Sequence, residues 1–178
     1  MPDPCRRQAH GPAARYLDAL SFLSRLVVRP GQTEGRFQAC LSGFAPAGLT
    51  LGLLWAGLAF AALRFADVAQ VPPALCPLVA GWLWMLALLW TTRALHWDGV
   101  ADLADACGSG AAGERFWQIM RDSRLGAFGA LAVCSGLAGA LLLAAAHAAQ
   151  GNWLLLVLAP GWGRACSLLL AASAPAQG

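Results

Sequence analysis

The stretch that decides the fold lies in the second half of the chain, where residues 125–147 read LGAFGALAVCSGLAGALLLAAAH. It contains no Asp, Glu, Lys or Arg. A helix needs about 20 apolar residues to cross the hydrocarbon core of a bilayer, so this stretch is long enough for one crossing. Two further uncharged runs, residues 37–63 and 68–92, are also long enough. The sequence predicts a membrane helix in each run.

A fourth apolar segment begins at Trp153, after a turn predicted at residues 150–152. It contains the sequence PGWGR at residues 160–164. Proline removes a hydrogen bond from a helix interior, and interrupted membrane helices usually border a cavity. The segment is therefore predicted to be a span that is broken at residues 160–164. Arg64 and Asp67 mark the predicted turn between the first two spans.

The composition agrees with a membrane protein, because 58% of the residues are hydrophobic and only 12% are charged. Soluble domains carry about 25% charged residues. No clustered basic face with stacking aromatics is present, so nucleic acid is not an expected partner. We predict one all-α membrane domain over residues 1–178. It would be a polytopic bundle of about four transmembrane helices in contact with membrane lipid.

The N-terminal segment is polar and proline-rich over residues 1–12, which predicts disorder. Residues 13–28 have apolar side chains at helical spacing, which predicts an amphipathic helix along the membrane surface. No uninterrupted apolar run precedes a cleavage site of small residues, so a signal peptide is not favoured. The six cysteines form no C-x-x-C pair and indicate neither a disulfide framework nor a zinc site. They are Cys5, Cys40, Cys76, Cys107, Cys134 and Cys166.

The arginines are distributed unevenly along the chain. Most lie in the N-terminal segment and in the polar segment at residues 93–124, whereas the other two turns contain only Arg64. With four spans, the Arg-rich parts fall on one side of the membrane. The positive-inside rule makes that side cytoplasmic. The sequence thus predicts a multi-pass protein of the bacterial inner membrane, with residues 93–124 facing the cytoplasm.

The polar segment contains an acidic motif, HWDGVADLAD, at residues 96–105. On a helix, Asp98, Asp102 and Asp105 are at positions i, i+4 and i+7 and share one face. Close carboxylates repel one another unless a cation lies between them, and carboxylate oxygens suit Mg²⁺. Gly99 leaves room for a phosphate or a helix to approach the backbone. The alternative is a solvated loop, but three of the nine acidic residues of the chain lie within eight positions.

A second polar block, IMRDSRLGAFG, follows at residues 119–129. Asp122 is a candidate fourth carboxylate, which would complete a two-metal site. The guanidinium groups of Arg121 and Arg124 match phosphate oxygens. The alternative is a positive-inside anchor for the next span. That alternative explains the arginines but neither the aspartate nor the G-x-x-G pair that ends the block.

Two other polar residues have open alternatives. His96 is either a structural residue with hydrogen bonds or part of the site beside the acidic motif. Arg164 lies within an apolar segment, and a charged residue inside a membrane indicates function. It can also extend its side chain to the membrane surface.

The two blocks together resemble those of the cobalamin synthases, the adenosylcobinamide-GDP ribazoletransferases. The matching pattern is H-x-D-G-x-x-D-x-x-D at residues 96–105, followed by I-M-R-D-S-R-x-G-x-x-G at residues 119–129. Weaker similarity begins at LSFLSRL, residues 20–26, and continues to Gly163 and Arg164. The resemblance therefore covers nearly the whole chain.

The resemblance implies a transferase of late cobalamin biosynthesis that uses Mg²⁺. A ribose hydroxyl of α-ribazole, or of its 5′-phosphate, would attack adenosylcobinamide-GDP and release GMP. Adenosylcobalamin or its 5′-phosphate would form. Other cobalamin-assembly enzymes are expected partners.

The resemblance also implies roles for individual residues. Asp98, Asp102, Asp105 and Asp122 are the expected metal ligands. Catalytic roles are expected for the first three, and Asp105 is either a ligand or the base that accepts the hydroxyl proton. Substrate binding is expected from a larger set: His96, Gly99, Arg121, Ser123, Arg124 and Arg164.

The chain departs from the family pattern at two points. Ala106 stands where many members have Gly. The family also continues through further membrane spans, which predicts that this chain is a C-terminally truncated member. Two alternative functions remain open at this point. A CDP-alcohol phosphotransferase needs later Gly and Asp residues at a spacing that the motif lacks, and an inactive membrane subunit would keep the family likeness without activity.

Overall fold

The computed structural model describes residues 11–29 and 40–173, and every regular element in these ranges is helical. This confirms the predicted all-α class. The disorder predicted for residues 1–12 falls mostly outside the described residues, although Pro12 itself begins a helix. A 3₁₀ turn at Leu41–Gly43 accompanies seven α-helices. These are α1 (Pro12–Leu23), α2 (Phe44–Val68), α3 (Cys76–Thr92), α4 (Leu95–Gly108), α5 (Glu114–Met120), α6 (Ala127–Ala149) and α7 (Trp153–Ser173).

The chain forms two compact units, and the prediction of one membrane domain over residues 1–178 stays a prediction. The first unit comprises residues 1–57 and 153–178, and the second comprises residues 58–152. The first boundary lies within α2, so no linker separates the units at that point. α1 and α7 belong to the first unit, and α3 to α6 belong to the second.

Helix α1 ends at Leu23, so the predicted helix over residues 13–28 is too long. Beyond the end of α1, the β-branched side chains of Val27 and Val28 disfavour helix. Pro30 disfavours it further, because proline restricts the residue before it. Asp18 is buried and accepts a hydrogen bond from Arg29 at 2.8 Å. This ion pair holds the segment after α1 against the helix.

Close packing of α2 on α7 builds the rest of the first unit. A Cβ atom at Gly48 would come within 2.8 Å of the Cα of Gly161, and one at Gly52 would collide with the carbonyl of Val157. Small residues allow such close approach between membrane helices. Gly48 and Gly52 therefore allow α2 and α7 to pack closely, whereas a Cβ atom at Gly57 would meet nothing within 4 Å.

Helix α7 continues through Pro160, so the predicted break at residues 160–164 is wrong. A proline removes only one hydrogen bond, and membrane helices tolerate this where neighbouring groups compensate. Here Pro160 is buried, and its carbonyl lies against Gly48. The local packing keeps the helix in one piece.

Helix α2 also extends further than predicted, through Arg64 and Asp67 to Val68. Gln70 then adopts a left-handed conformation with φ 58°. The N–H of Val71 donates to the carbonyl of Ala66 at 3.0 Å, which is the closing bond of a Schellman motif. The turn therefore follows Val68, and the two charged residues lie on the last turn of the helix.

In the second unit, α3 and α4 meet at an angle of 87°. The link consists of Arg93 and Ala94, which both adopt the left-handed conformation with φ 56° and 52°. Neither is glycine, so each residue is strained by roughly 1–2 kcal/mol. The strain redirects the chain, and the acidic motif follows as the separate helix α4.

Helix α6 packs against both arms of this bent pair. Near its C-terminal end, a Cβ atom at Gly81 of α3 would lie 2.7 Å from the backbone nitrogen of Ala145. Further toward its N-terminal end, Gly136 accommodates the indole of Trp97. At 23 residues, α6 is roughly 34 Å long, which is enough to cross a bilayer. The turn at residues 150–152 follows it as predicted.

The predicted spans are all present as apolar helices, but they differ in length. Within the described residues, Leu41–Val68 and Ala127–Ala149 are long enough to cross a membrane alone. The bent pair of α3 and α4 could supply a third crossing, and Trp153–Leu169 is shorter. The structure is thus that of a helical membrane protein with two or three full-length spans in the described residues, and the predicted number of four stays a prediction.

The strained link between α3 and α4 gives a stability prediction. Ala94→Gly removes the left-handed strain, and this gain offsets the roughly 0.5–1 kcal/mol that glycine loses in conformational entropy. The thermal midpoint in detergent should stay the same or rise. Ala104→Gly, inside α4, is the control and should destabilise by about 1 kcal/mol. An equal fall in both variants would contradict the assigned strain.

Candidate active site

Helix α4 presents the three carboxylates of the acidic motif, as the sequence predicted. Asp98 is exposed, and Asp102 and Asp105 are half-buried. Among the described residues, neither Asp98 nor Asp102 has a hydrogen-bond or ion-pair partner. Uncompensated carboxylates at the bilayer centre are unfavourable by roughly 2.5–3.5 kcal/mol each. These two groups therefore require water, a cation or a substrate group beside them.

The third carboxylate has a different environment, because Asp105 binds the start of α6. The backbone N–H of Gly126 donates to its Oδ2 at 2.7 Å, and the N–H of Gly129 donates to its Oδ1 at 2.8 Å. Gly126 is the N-cap residue of α6 and has no side chain that could cap the helix. Asp105 supplies the missing cap from another helix. The positive end of the α6 dipole adds to the attraction.

The G-x-x-G pair of the second block is explained by this contact. A Cβ atom on either Gly126 or Gly129 would collide with the Asp105 carboxylate. A Cβ atom at Gly129 would also lie 2.8 Å from the carbonyl oxygen of Ala101. Sequence reasoning noted the pair but did not identify its partner. The available signal was a helix that begins with glycine at the N-cap and again three residues later.

The loop between α5 and α6 holds the charged residues of the second block. Arg124 donates to both carboxylate oxygens of Asp122, with Nη2 to Oδ2 at 2.7 Å and Nε to Oδ1 at 3.1 Å. The backbone N–H of Arg124 also donates to Oδ1 at 3.1 Å. These hydrogen bonds hold the pKa of Asp122 at about 2. Asp122 and Arg124 are therefore partners of each other.

The other predicted substrate-binding residues differ in their surroundings. His96, Gly99, Arg121 and Ser123 are exposed. A Cβ atom at Gly99 would meet nothing within 4 Å, so the backbone is open on that side of α4. The predicted approach of a phosphate at this position stays a prediction.

Arg164 belongs to the first unit, on the continuous helix α7. It is buried, with only 6% of its surface exposed, and its Nη1 donates to the carbonyl of Pro160 at 2.8 Å. Its Nε has no hydrogen-bond partner within the described part of the chain. The predicted role of Arg164 in substrate binding stays a prediction.

The four carboxylates of the predicted site can be compared with the ligands that a divalent metal ion requires. In residues 11–29 and 40–173, no three His, Cys, Asp or Glu side chains are grouped closely enough to hold a metal ion. Asp105 and Asp122 have protein partners, whereas Asp98 and Asp102 have none in these ranges. Proteins commonly bind Mg²⁺ through one or two carboxylates together with substrate phosphates. The pair Asp98 and Asp102 fits that mode, and the predicted four-carboxylate set stays a prediction.

Fold and site together define a helical membrane protein with an acidic helix and an arginine-bearing loop in one unit. The family model described as CobS, cobalamin-5-phosphate synthase, matches residues 15–178. The chain therefore belongs to the cobalamin-5-phosphate synthase family. No solved structure matches it.

Individual relatives agree with this assignment. An adenosylcobinamide-GDP ribazoletransferase of Nitratidesulfovibrio vulgaris (strain DP4) is 42% identical over 158 residues, which are 88% of this chain and 60% of that protein. One from N. vulgaris (strain DSM 19637 / Miyazaki F) is 41% identical over 86% of this chain and 58% of its own length. One from Brucella canis is 35% identical over 85% of this chain and 57% of its own length. The chain thus spans about three fifths of these relatives' length.

The ion pair in the loop gives a prediction about pH. The pKa of Asp122 is depressed to about 2 from its ordinary value of 3.8, so the pair contributes fully above pH 3.8 and is lost as the pH falls through 2. Arg124→Gln should raise the Asp122 pKa toward 3.8, as measured by carboxyl ¹³C NMR in micelles. Arg121→Gln is the control and should leave it near 2. An unchanged Asp122 pKa in Arg124→Gln would refute the hydrogen bonds from Arg124 as the cause of its depression.

Proposed function

We propose that this chain carries the phosphoryl-transfer segment of an adenosylcobinamide-GDP ribazoletransferase. The ribose hydroxyl of α-ribazole, or of its 5′-phosphate, attacks the cobinamide-side phosphorus of adenosylcobinamide-GDP. The new bond joins ribose oxygen to phosphorus, the bond from that phosphorus to GMP breaks, and the hydroxyl proton is removed. The family match and the printed names of the relatives support the reaction class.

The observation that carries this proposal is a pair of carboxylates on α4, Asp98 and Asp102, that have no partner among the described residues. Mg²⁺ held by these two residues would neutralise charge on the diphosphate oxygens. Phosphoryl transfer depends mainly on positioning and on such neutralisation. Of the three carboxylates on α4, these two are the ones open to a substrate, so one of them is also the proposed base for the hydroxyl proton.

The loop after α5 contributes the cationic part of the site. Arg121 is exposed, and Arg124 extends its guanidinium group at the surface with Asp122 as its partner. We assign both arginines to the diphosphate, because a guanidinium group can donate two parallel hydrogen bonds to phosphate oxygens. Asp122 orients Arg124 before the substrate binds.

The reaction can be tested with the protein in liposomes that contain Mg²⁺. Adenosylcobinamide-GDP and α-ribazole should give adenosylcobalamin and one equivalent of GMP, both measured by chromatography. Asp98→Asn should lower turnover on the order of 100-fold, because a charge-stabilising group is lost. The control Asp67→Asn changes an exposed carboxylate in the last turn of α2 and should have little effect.

Four results would count against the proposal. Equal activity in Asp98→Asn and the control would exclude the metal assignment. Unchanged turnover after EDTA treatment would exclude Mg²⁺. Release of CMP from CDP-diacylglycerol, without release of GMP from adenosylcobinamide-GDP, would favour a CDP-alcohol phosphotransferase. No product from either donor would favour an inactive membrane subunit.

We further propose that α4 and the loop face the cytoplasm across the bacterial inner membrane. The distribution of arginines supports this orientation. With all native cysteines replaced, Ala112→Cys should react with a membrane-impermeant thiol reagent only after the cells are opened. Gln150→Cys, beyond the other end of α6, should react in intact cells. The reverse pattern would overturn the orientation.

A further inference from the structure

The contact between Asp105 and the start of α6 joins the two polar blocks of the second unit. We propose that Asp105 is a positioning residue, with Gly126 and Gly129 as its receptor, and that this clamp sets the arginine-bearing loop relative to Asp98 and Asp102. The inference rests on the proposed function and specifies how its site is assembled. It gives Asp105 a role distinct from that of a metal ligand.

The clamp acts directly on the loop because the two are adjacent in sequence. Only Leu125 separates Arg124 from Gly126, whose N–H is one of the two donors to Asp105. At the other end, the loop begins where α5 ends at Met120. The six residues from Arg121 to Gly126 are thus held between α5 and the capped end of α6. Without the cap, only α5 would restrain the loop.

The clamp acts equally on the acidic helix. Asp102 and Asp98 precede Asp105 by one and two turns on the same helix. Since α4 is rigid over this length, holding Asp105 also determines where the other two carboxylates lie. Phosphoryl transfer is sensitive to such placement, and an error of 1 Å can lower the rate by about 100-fold.

The chemistry of the contact requires both a carboxylate and two glycines. Two backbone N–H groups point at the two oxygens of Asp105. Asn would offer an NH₂ group to one of these donors, so one hydrogen bond would be lost. A methyl group on Gly126 or Gly129 would occupy the place of the carboxylate. The three residues therefore form one unit, and loss of any one member disrupts it.

The test uses Asp105→Ala, Gly129→Ala and the double variant in the full chain. Gly139→Ala is the matched control, because it makes the same change in α6 at a position where a Cβ atom meets nothing within 4 Å. Alanine stabilises a helix more than glycine does. Lower activity in Gly129→Ala therefore cannot result from a less stable α6. The thermal midpoint of each variant is measured to confirm that it is folded.

The kinetic readout separates positioning from metal binding. Asp105→Ala and Gly129→Ala should each lower kcat about 100-fold, while the Mg²⁺ concentration for half-maximal rate changes less than about twofold. The double variant should lose far less than the product of the two single losses, because both changes remove the same contact. Any remaining loss is assigned to the carbonyl oxygen of Ala101, which a Cβ atom at Gly129 also meets. A tenfold rise in the Mg²⁺ requirement of Asp105→Ala would make Asp105 a ligand and overturn the proposal. Equal rates in Gly129→Ala and Gly139→Ala would also overturn it.

A second readout does not depend on activity. Nitroxide labels at Val100→Cys in α4 and Ser123→Cys in the loop, with the native cysteines replaced, report the distance distribution by EPR spectroscopy. The distance distribution should be narrow in the parent and in Gly139→Ala. It should be broader or shifted in the two clamp variants, Asp105→Ala and Gly129→Ala. If the parent makes no product but shows this pattern, the proposed function fails and the clamp stands. An unchanged distribution in the clamp variants refutes the clamp whatever the activity.

Discussion

The arrangement of the second unit depends on one carboxylate that binds the exposed N–H groups of another helix. The first turn of any helix leaves backbone donors without partners, which a cap, water or a ligand must satisfy. Helix α6 begins with a glycine and has no cap of its own. Asp105 satisfies two of these donors and brings α4 against the start of α6. In the proposed clamp, the position of the loop follows from this contact.

Glycine makes the close approach of the helices possible in both units. In the first unit, Gly48 and Gly52 leave room for the backbone of α7, and in the second, Gly81 does the same for α6. Apolar helices in lipid gain little from the hydrophobic effect on association, so van der Waals contact between backbones matters more. These three glycines are therefore part of the packing surface of each unit.

The errors in the predicted helix boundaries have a common cause. Charge alone predicts a turn at Arg64 and Asp67, and the missing N–H group predicts a break at Pro160. Both inferences used the single residue, whereas a helix ends where its backbone hydrogen bonds are closed off. Gln70, with its left-handed φ of 58°, provides such an end for α2, and nothing comparable follows Pro160 in α7.

The sequence by itself determined the helical class, the membrane environment and the shared face of Asp98, Asp102 and Asp105. These properties depend on composition and on a period of 3.6 residues, which are both local. Only the tertiary structure decided which of the three carboxylates is engaged. The partners of Asp105 lie 21 and 24 residues away, and periodicity identifies the face of a helix but not what packs against it. The separation of Asp105 from the two carboxylates without protein partners in the described ranges is therefore a property of the fold.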